Sequence, residues 1–390
     1  MKNQFKVLLL MLITSIALHG QKTLDIEMDE KHTIYDESFS TDANTILVLN
    51  LKNTAAQVVA SKDKSVHITY TKEFKNTKRK HIKSQLELLT VSGKKEGNKI
   101  TYTTKSKNSS VYINRAVWEE MRIERFEKNN IDTIQKPLLR KSLDSVLFEI
   151  KSSDILYKNK LFGTLKIKPR VKKWKSSDQL IITKMIIEIP EHIHIRATLE
   201  NSNLVFLNDF YNRMAMNVRN TKIKFKSVGN PLNILDVDNG YFYANKIVAG
   251  DYTFANTKKV LIGEILNTKI NTEFTKVEIG EIGKNTTIYD FNSKYSFYNF
   301  SENFGELKMN SDYSEINLFL PKQSEYYLET IGHNTVHFWR DIITEIPSSK
   351  KNMNSKMMEI GNKQNPNKIS THITNGIIRF GEDFIDLGED

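Results

Sequence analysis

One short pattern recurs along the chain from residue 201 to about 331, and it restricts the fold more than any other feature. Seven marker positions define it at intervals of 17 to 19 residues: Asn201, Asn220, Asn239, Asn256, Phe274, Asn292 and Asn310. Three and five residues after each marker, six of seven positions are apolar or aromatic, with a mostly polar residue between them. Such alternation is typical of a short strand with one buried face. Because a strand that returns at a fixed period implies stacked rungs, the sequence predicts an all-β, single-stranded-stack β-solenoid, a β-helix-like fold with one strand per rung.

Asparagine is a suitable residue for the turns of such a stack. It tolerates left-handed backbone conformations and caps tight turns with its side chain. A β-sandwich with regularly spaced strands is the alternative that the same alternation allows.

The N-terminus predicts export. Lys2 and Lys6 precede an apolar run that ends at Leu18, and Gly20–Gln21 offers a small residue for cleavage. The run is too short to span a bilayer, so the pattern predicts a secretory signal peptide over 1–20. The chain has no cysteine, which excludes a lipobox cysteine and a disulfide framework. No later stretch has the length and apolarity of a transmembrane segment, so we expect a soluble mature chain in the periplasm, at the cell surface or outside the cell.

The mature chain is expected to be basic. The sequence has 57 Lys and Arg against 46 Asp and Glu, and removal of residues 1–20 takes two lysines and no acid, which leaves a net charge near +9. A basic exported protein meets anionic envelope material, so the expected partners are anionic glycans, lipopolysaccharide or envelope proteins. No nucleic-acid-binding signature occurs, and no nucleic-acid partner is expected. We expect a monomer.

The mature chain divides into three segments by pattern. Residues 21–112 are rich in strand patterns. Residues 113–151 change to helical spacing around Pro137 and predict a small helical insertion. Residues 152–390 return to alternation and predict the solenoid, with Gly376–Gly381 as the last strand that closes the end of the stack.

Two stretches, Ile187–Ile195 and Ser314–Pro321, combine a strand with a proline at its end or just after it, next to irregular rungs. In these stretches the chain resembles the adhesin β-solenoid family, the "auto-transporter adhesin head"-type domains secreted by Gram-negative bacteria. Ile46–Tyr70 is similar to the opening rungs of that family. The resemblance covers about 45–110 and 180–335 and implies a secreted β-solenoid that adheres to surfaces. The family has no agreed catalytic residues, so no site residue is carried over.

Motifs for catalysis and metal binding are absent or incomplete. The chain has neither a G-x-S-x-G nor a G-x-G-x-x-G motif. His333 and His337 have helical spacing in a strand context, and His192 and His194 would be about 7 Å apart on one strand face, so we interpret these histidines as structural. Asp236–Gly240 departs from a calcium loop and is interpreted as a turn. We therefore expect no catalytic residue, no metal and no cofactor.

Two outward columns, two and four residues after the markers, carry the candidate ligand-binding residues. Counted from the marker positions, lysines interrupted by two tyrosines follow one another: Lys222, Tyr241, Tyr243, Lys258, Lys276 and Lys294. Carboxylates are sparse there, which disfavours an enzyme that cleaves acidic polysaccharides. One interpretation is a solvated face that discourages sheet association. The other is a strip that binds anionic glycan or lipopolysaccharide, with both tyrosines stacked on sugar faces.

A second basic strip is predicted on one strand. Lys166, Lys168, Arg170 and Lys172 alternate with apolar residues or proline, so one strand face is wholly basic. Charged strands that contain proline are typical of sheet edges. We interpret the strip as an edge guard, with attraction to an anionic surface as the alternative.

Together these features predict an exported, non-catalytic envelope or cell-surface interaction protein, adhesin-like in its action. Two alternatives remain open: a polysaccharide-active β-helix enzyme (a lyase or hydrolase) and a periplasmic component of an envelope-sensing system. An enzyme would depend on one or two carboxylates. A binding face would lose affinity gradually as its lysines are reversed and as salt concentration rises.

Overall fold

The structure is a computed structural model that describes residues 27–107, 149–150, 155–159, 163–167, 180–320, 325–339, 342–343 and 355–381. The predicted signal peptide lies outside these residues, as does nearly all of the predicted helical insertion. At the end of that insertion, Glu149–Ile150 form a short strand.

The described residues are almost entirely β-structure, which confirms the all-β prediction. The helix α1 spans Arg79–Glu87. The strands are β1 (Glu27–Ser40), β2 (Ile46–Lys52), β3 (Ala55–Ala60), β4 (Ser65–Lys78), β5 (Leu89–Glu96), β6 (Lys99–Ser106), β7 (Glu149–Ile150), β8 (Ile155–Asn159), β9 (Gly163–Ile167), β10 (Leu180–Ile189), β11 (His194–Glu200), β12 (Asn203–Phe210), β13 (Met214–Arg219), β14 (Lys222–Val228), β15 (Ile234–Asp238), β16 (Tyr241–Ile247), β17 (Gly250–Ala255), β18 (Lys259–Glu273), β19 (Lys276–Phe291), β20 (Lys294–Phe297), β21 (Glu306–Asp312), β22 (Glu315–Phe319), β23 (Tyr327–His333), β24 (Val336–Trp339), β25 (Ile342–Ile343), β26 (Ser355–Ile360), β27 (Lys368–Thr374) and β28 (Ile377–Gly381). Of these, 25 form one hydrogen-bonded sheet, and β7, β8 and β9 form a second. In the part of the chain that the structure describes, no helix has the length and apolarity needed to cross a membrane.

Each repeat of the sequence supplies two strands, which join two columns of parallel strands. In the first column β11 pairs with β13, β13 with β15 and β15 with β17. In the second column β12 pairs with β14, β14 with β16 and β16 with the start of β18. The prediction of one strand per repeat is therefore corrected to two. At about 3.3 Å per residue, 18 residues extend well beyond one strand and a turn, so the chain folds back once more within each repeat.

The inward residues of the second column correct the predicted register. The predicted apolar columns contained polar exceptions, among them Lys259 and Glu315. In the structure Phe242 pairs with Val260, and Tyr295 pairs with Ile316. Val260 and Ile316 thus take the inward positions that had been assigned to Lys259 and Glu315, and both are apolar and buried.

A left-handed residue forms the corner between each first-column strand and the second-column strand that follows it. Residues with φ between +47° and +56° hold this position on successive rungs: Asn201, Asn220, Asn239, Asn256, Phe274, Asn292 and Tyr313. The corner residue donates its N–H to a carbonyl on the next rung, as Asn201 does to Arg219 at 3.0 Å. The prediction that asparagine marks left-handed turns is thereby confirmed, with Tyr313 in place of Asn310.

The residue after the corner is Ser, Thr or Gly, and its hydroxyl is part of a buried ladder. Ser202 N–H donates to Thr221 Oγ1 at 3.0 Å, and Thr275 N–H donates to Ser293 Oγ at 3.1 Å. These hydroxyls satisfy backbone groups that a buried corner would otherwise leave unpaired. Gly240 replaces the hydroxyl on one rung, where a Cβ would lie 2.1 Å from the Thr221 carbonyl oxygen.

The ends of the stack do not follow chain order. β27 and β28 insert between the rung of β21 and β22 and the rung of β23 and β24. The predicted closing strand Gly376–Gly381 therefore lies between other paired strands. At that end β26 pairs antiparallel with β23, and β25 pairs antiparallel with β24. Near the other end, β2 and β3 are parallel neighbours of β11 and β12. Strands from the predicted N-terminal segment and from the predicted solenoid segment thus share one sheet.

Both columns contribute to one hydrophobic core, which contains residues from Leu47 to Phe380. Aromatic rings stack along it, and the ring centroids of Phe206 and Phe225 are 4.3 Å apart. Burial of each such ring contributes about 1.5–3 kcal/mol to folding. Because side chains alternate along a strand, the residues between those that face this core point outward and form the surface of each column.

Candidate functional site

The outward residues of the second column form a row like the one predicted. Parallel pairing places Lys222 beside Tyr241, Tyr241 beside Lys259, and Lys276 beside Lys294. Val260 pairs with Val277, so the residues before them, Lys259 and Lys276, also lie beside each other. We refer to these five residues as the lysine row. Its members stand on successive rungs, about 4.8 Å apart along the stack.

Lys258 was predicted in this row, but Lys259 takes the position. The corner after Asn256 accommodates one extra residue. The N–H of Lys258 donates to the Gly240 carbonyl at 3.0 Å, while Lys259 is the register partner of Tyr241. Lys258 nevertheless stays beside the row, because its Nζ lies 5.8 Å from the ring centroid of Tyr241.

The first part of the row brings ammonium groups against aromatic rings. The rings of Tyr241 and Tyr243 are nearly parallel, with centroids 6.4 Å apart, and Lys222 Nζ lies 5.7 Å from each centroid. At these distances the electron-rich face of the ring attracts the cation. Tyr241 is 37% exposed and Tyr243 only 9%, so the expectation that both stack on sugar faces is restricted to Tyr241. We call Lys222, Tyr241, Tyr243 and Lys258 the aromatic end.

In the second part of the row the lysines form ion pairs with carboxylates. Glu278 lies on the neighbouring outward row, 3.3 Å from Lys259 and 3.2 Å from Lys276. One carboxylate thus bridges lysines of two successive rungs. It offsets the repulsion that their spacing imposes.

Glu315 has a similar role just beyond the row, where it is the register partner of Lys294. Its carboxylate lies 3.2 Å from Lys294 Nζ and also contacts Arg379. Burial alone would raise the pKa of Glu315, but the hydrogen bonds and charges of these two cations outweigh it, so the pKa lies below its ordinary value. We call Lys259, Lys276, Lys294, Glu278 and Glu315 the ion-paired end. Arg379 enters from β28, so no local sequence pattern indicates this contact.

The row presents a regular series of cations with one exposed aromatic ring. Lys276 and Lys294 remain about half exposed, at 52% and 50%, so water weakens their ion pairs and the anionic groups of a ligand can compete for these two lysines. A chain of anionic groups that runs along the stack could contact several rungs at once. The arrangement suits binding to an extended polyanion.

The second basic strip lies mostly outside the described residues. Lys166 belongs to β9, where its register partner is Leu156. In the described part of the chain, β9 is at the edge of its three-stranded sheet. Lys168, Arg170 and Lys172 are not described, so the edge-guard interpretation stays a prediction.

Two of the segments considered as metal ligands have structural roles. His192 Nε2 lies 2.9 Å from Thr41 Oγ1, and the Asp236–Gly240 segment contains the left-handed corner residue Asn239. Within the described ranges, no group of three or more His, Asp or Glu side chains is placed to hold a metal ion.

Comparisons with known proteins give little guidance. No family model matches the chain, and no curated protein matches it. One solved structure, a "putative cell adhesion protein" from Clostridium sporogenes ATCC 15579, is 9% identical over 91% of this chain and 99% of its own, with a TM-score of 0.17. A likeness at that TM-score carries no argument about fold or function, so the function has to be inferred from the residues.

Proposed function

We propose that this protein is an exported, non-catalytic, two-column β-solenoid that acts at the cell envelope or cell surface by binding an anionic polymer, as an adhesin would. The lysine row is the proposed contact surface. The observation that carries the proposal is the in-register stacking of Lys222, Lys259, Lys276 and Lys294 beside Tyr241 on one outward face.

The solenoid part of the proposal is supported by the pairing in both columns. From β11 to β22, each strand or strand half pairs in parallel with its counterpart about one repeat later. The corner hydrogen bonds join the same rungs. A stack of this kind places one side chain per rung at each outward position, which a repeating ligand can match.

A binding role, rather than catalysis, is supported by the state of the nearest carboxylates. Glu278 and Glu315 both pair with lysines of the row. A general acid in a polysaccharide-cleaving enzyme needs a raised pKa, whereas the pKa of Glu315 is lowered. This arrangement favours a role for these carboxylates in ordering the lysines.

The proposal is tested by charge reversal in the mature chain. The double variants Lys222→Glu/Lys258→Glu and Lys276→Glu/Lys294→Glu are titrated with alginate and with lipopolysaccharide, at low and at high salt. Each reversal replaces an attraction by a repulsion, so we expect each pair to lower affinity about tenfold or more. Added salt should weaken binding by the wild-type protein.

The double variant Lys269→Glu/Lys308→Glu is the matched control, since both are exposed lysines on the outward face of the first column. It carries the same change of charge and should leave affinity nearly unchanged. If both double variants bind as the wild type does, the lysine row is only a solvated face and the proposal is wrong.

The location is tested by protease treatment of intact cells, with an antibody against the mature chain. Loss of the protein places it outside the outer membrane, where an adhesin acts. Digestion only after the outer membrane is opened would contradict the adhesin role and favour an envelope-sensing component.

A further inference from the structure

Two corner residues are of a type that their backbone conformation disfavours. Phe274 and Tyr313 hold the left-handed corner position with φ of +49° and +56°, where the neighbouring rungs use Asn256 and Asn292. Bulky residues are outliers in that conformation, and such outliers cluster at functional sites. The corner itself does not require an aromatic residue, because Asn256 donates the same kind of N–H bond as Phe274 does.

The strained residues place their rings against a third exposed ring. The ring centroids of Phe274 and Phe291 are 5.6 Å apart, and those of Phe291 and Tyr313 are 5.9 Å apart, both edge-to-face. The three side chains come from successive rungs and remain 48%, 40% and 56% exposed in chain order. We call Phe274, Phe291 and Tyr313 the aromatic corner. It is a line of three rings that follows the direction of stacking.

Polar side chains border the aromatic corner. Glu273 and Asp312 are the register partners of Phe291 on the two neighbouring rungs, and both reach solvent. Asn256 and Asn292 hold corner positions beside the rings and are exposed. A ligand on the rings would therefore meet amide and carboxylate groups at its edges.

The lysine row runs beside the aromatic corner. Lys276 stands two residues after Phe274, and Lys294 stands two residues after Asn292. Because both features follow the direction of stacking, a chain-like ligand on the lysine row passes the three rings.

We propose that the aromatic corner binds the sugar rings of an acidic glycan whose charged groups contact the lysine row. The inference deepens the proposed function and rests on it, since it names the chemical class of the polymer. One face of a pyranose ring presents C–H groups that carry partial positive charge, and these pack on the negative face of an aromatic ring. The hydroxyls at the edge of the sugar need donors and acceptors of the kind that border the corner.

Other ligands fit this surface less well. A stable protein interface buries about 800 Å² on each partner, far more than three rings on an outer corner provide. A lipid chain would place hydrocarbon against the amides and carboxylates that border the rings. Inorganic polyphosphate would satisfy the lysines but has no ring to contact the aromatic corner.

The test compares sugar-containing polyanions with one that lacks sugar. The mature chain and its Phe291→Thr variant are titrated with polygalacturonate, alginate, hyaluronan and polyphosphate at one salt concentration. Threonine is chosen because Thr374 holds the equivalent position two rungs further along the first column. We expect the variant to lose about tenfold in affinity for at least one glycan and to bind polyphosphate as the wild type does.

Two further variants separate binding from folding. Phe274→Asn and Tyr313→Asn introduce the residue that neighbouring corners use, so they should weaken glycan binding while the thermal midpoint rises or stays constant. Tyr211→Thr removes another exposed aromatic ring, 53% exposed and away from this corner, and should leave glycan binding unchanged.

The outcomes distinguish this inference from the proposed function. If the glycans bind through the lysines but Phe291→Thr changes nothing, the inference is overturned and the proposed function stands. If no glycan binds, or if reversal of the lysines has no effect on any polyanion, the inference and the proposed function both fail.

Discussion

The two ends of the lysine row place the same residue type on the same face but surround it differently. At the aromatic end, Lys258 lies against the ring of Tyr241. At the ion-paired end, Lys294 lies against Glu315. A ring attracts a cation without cancelling its charge, whereas a carboxylate cancels it. Where parallel strands pair in register, the residue on the neighbouring strand therefore decides what each lysine offers to a ligand.

The largest expected effect comes from removal of the core beneath the aromatic end. Phe225 is fully buried, and its ring centroid lies 5.9 Å from that of Phe242, which stands between the outward residues Tyr241 and Tyr243. Phe225→Ala should destabilise the protein by about 3–5 kcal/mol, because the stacked rings cannot close the cavity. Urea unfolding measures the loss.

Phe297→Ala is the matched variant at the ion-paired end, since Phe297 is also fully buried. It should cost a similar free energy of unfolding. Both variants should also weaken polyanion binding under native conditions, and Phe225→Ala should weaken it more, because its cavity lies under the exposed ring of Tyr241 as well as under lysines. Equal binding by both variants would mean that the two ends do not differ in function.

One lysine faces the core and has almost no solvent around it, unlike the lysines of the row. Lys72 lies on β4 and is buried, and burial lowers its pKa from 10.5 to about 8. Between these values the unfolded chain binds more protons than the folded chain, so stability should rise with pH across that window.

Lys72→Met should remove this pH dependence and increase stability at pH 7 by about 3 kcal/mol, because no charge then has to be buried or neutralised. Chemical unfolding at pH 7, 8, 9 and 10 tests the prediction. Lys184→Met, at an exposed position on the neighbouring strand β10, is the control and should leave the pH profile as in the wild type. A flat wild-type profile would contradict the argument.

The all-β class and much of the strand pattern could be predicted from sequence because their rules are local. Alternation shows which residues face the core, and asparagine indicates the left-handed corner at positions such as Asn220 and Asn239. The second strand of each repeat was missed because the corner opposite these asparagines varies in sequence. At Gly229–Asn233 it is a polar turn, whereas β18 passes through the same corner without interruption.

The neighbours of each site residue were harder to predict because they depend on register and strand order. One extra residue after Asn256 exchanges Lys258 for Lys259 in the row. The contact of Arg379 with Glu315 requires β28 to insert beside β22, which chain order does not indicate. Repeat spacing alone therefore predicts a surface residue with an error of up to one position along the chain, and it does not predict which strand lies next to it.

Exchanging the residue types of two adjacent corners compares the stability of a strained corner with that of an ordinary one. Phe274→Asn should stabilise the protein by about 1 kcal/mol, since asparagine tolerates the left-handed conformation better than phenylalanine does. Asn256→Phe is the reverse change on the adjacent corner and should cost about as much. Thermal unfolding of both variants measures the difference. Destabilisation by Phe274→Asn would show that the aromatic corner serves packing rather than a ligand.

The smallest expected effect is specific to the ion-paired end. Glu315→Gln should reduce stability at pH 7 by about 0.2–1 kcal/mol, the usual value of an ion pair that solvent screens, since the side chains of Glu315 and Lys294 are 33% and 50% exposed. Because the folded pKa of Glu315 is lowered, its contribution is present above the ordinary glutamate pKa and is lost as pH falls through the folded value. The stability curves of variant and wild type should therefore converge in acid. Glu306→Gln, at an exposed position on β21, should run parallel to the wild type throughout. The same Glu315→Gln change frees Lys294 from its carboxylate, so affinity for a polyanion should rise at pH 7. A gain in affinity together with a loss of stability would show that the ion-paired end differs from the aromatic end through its carboxylates and not through its lysines.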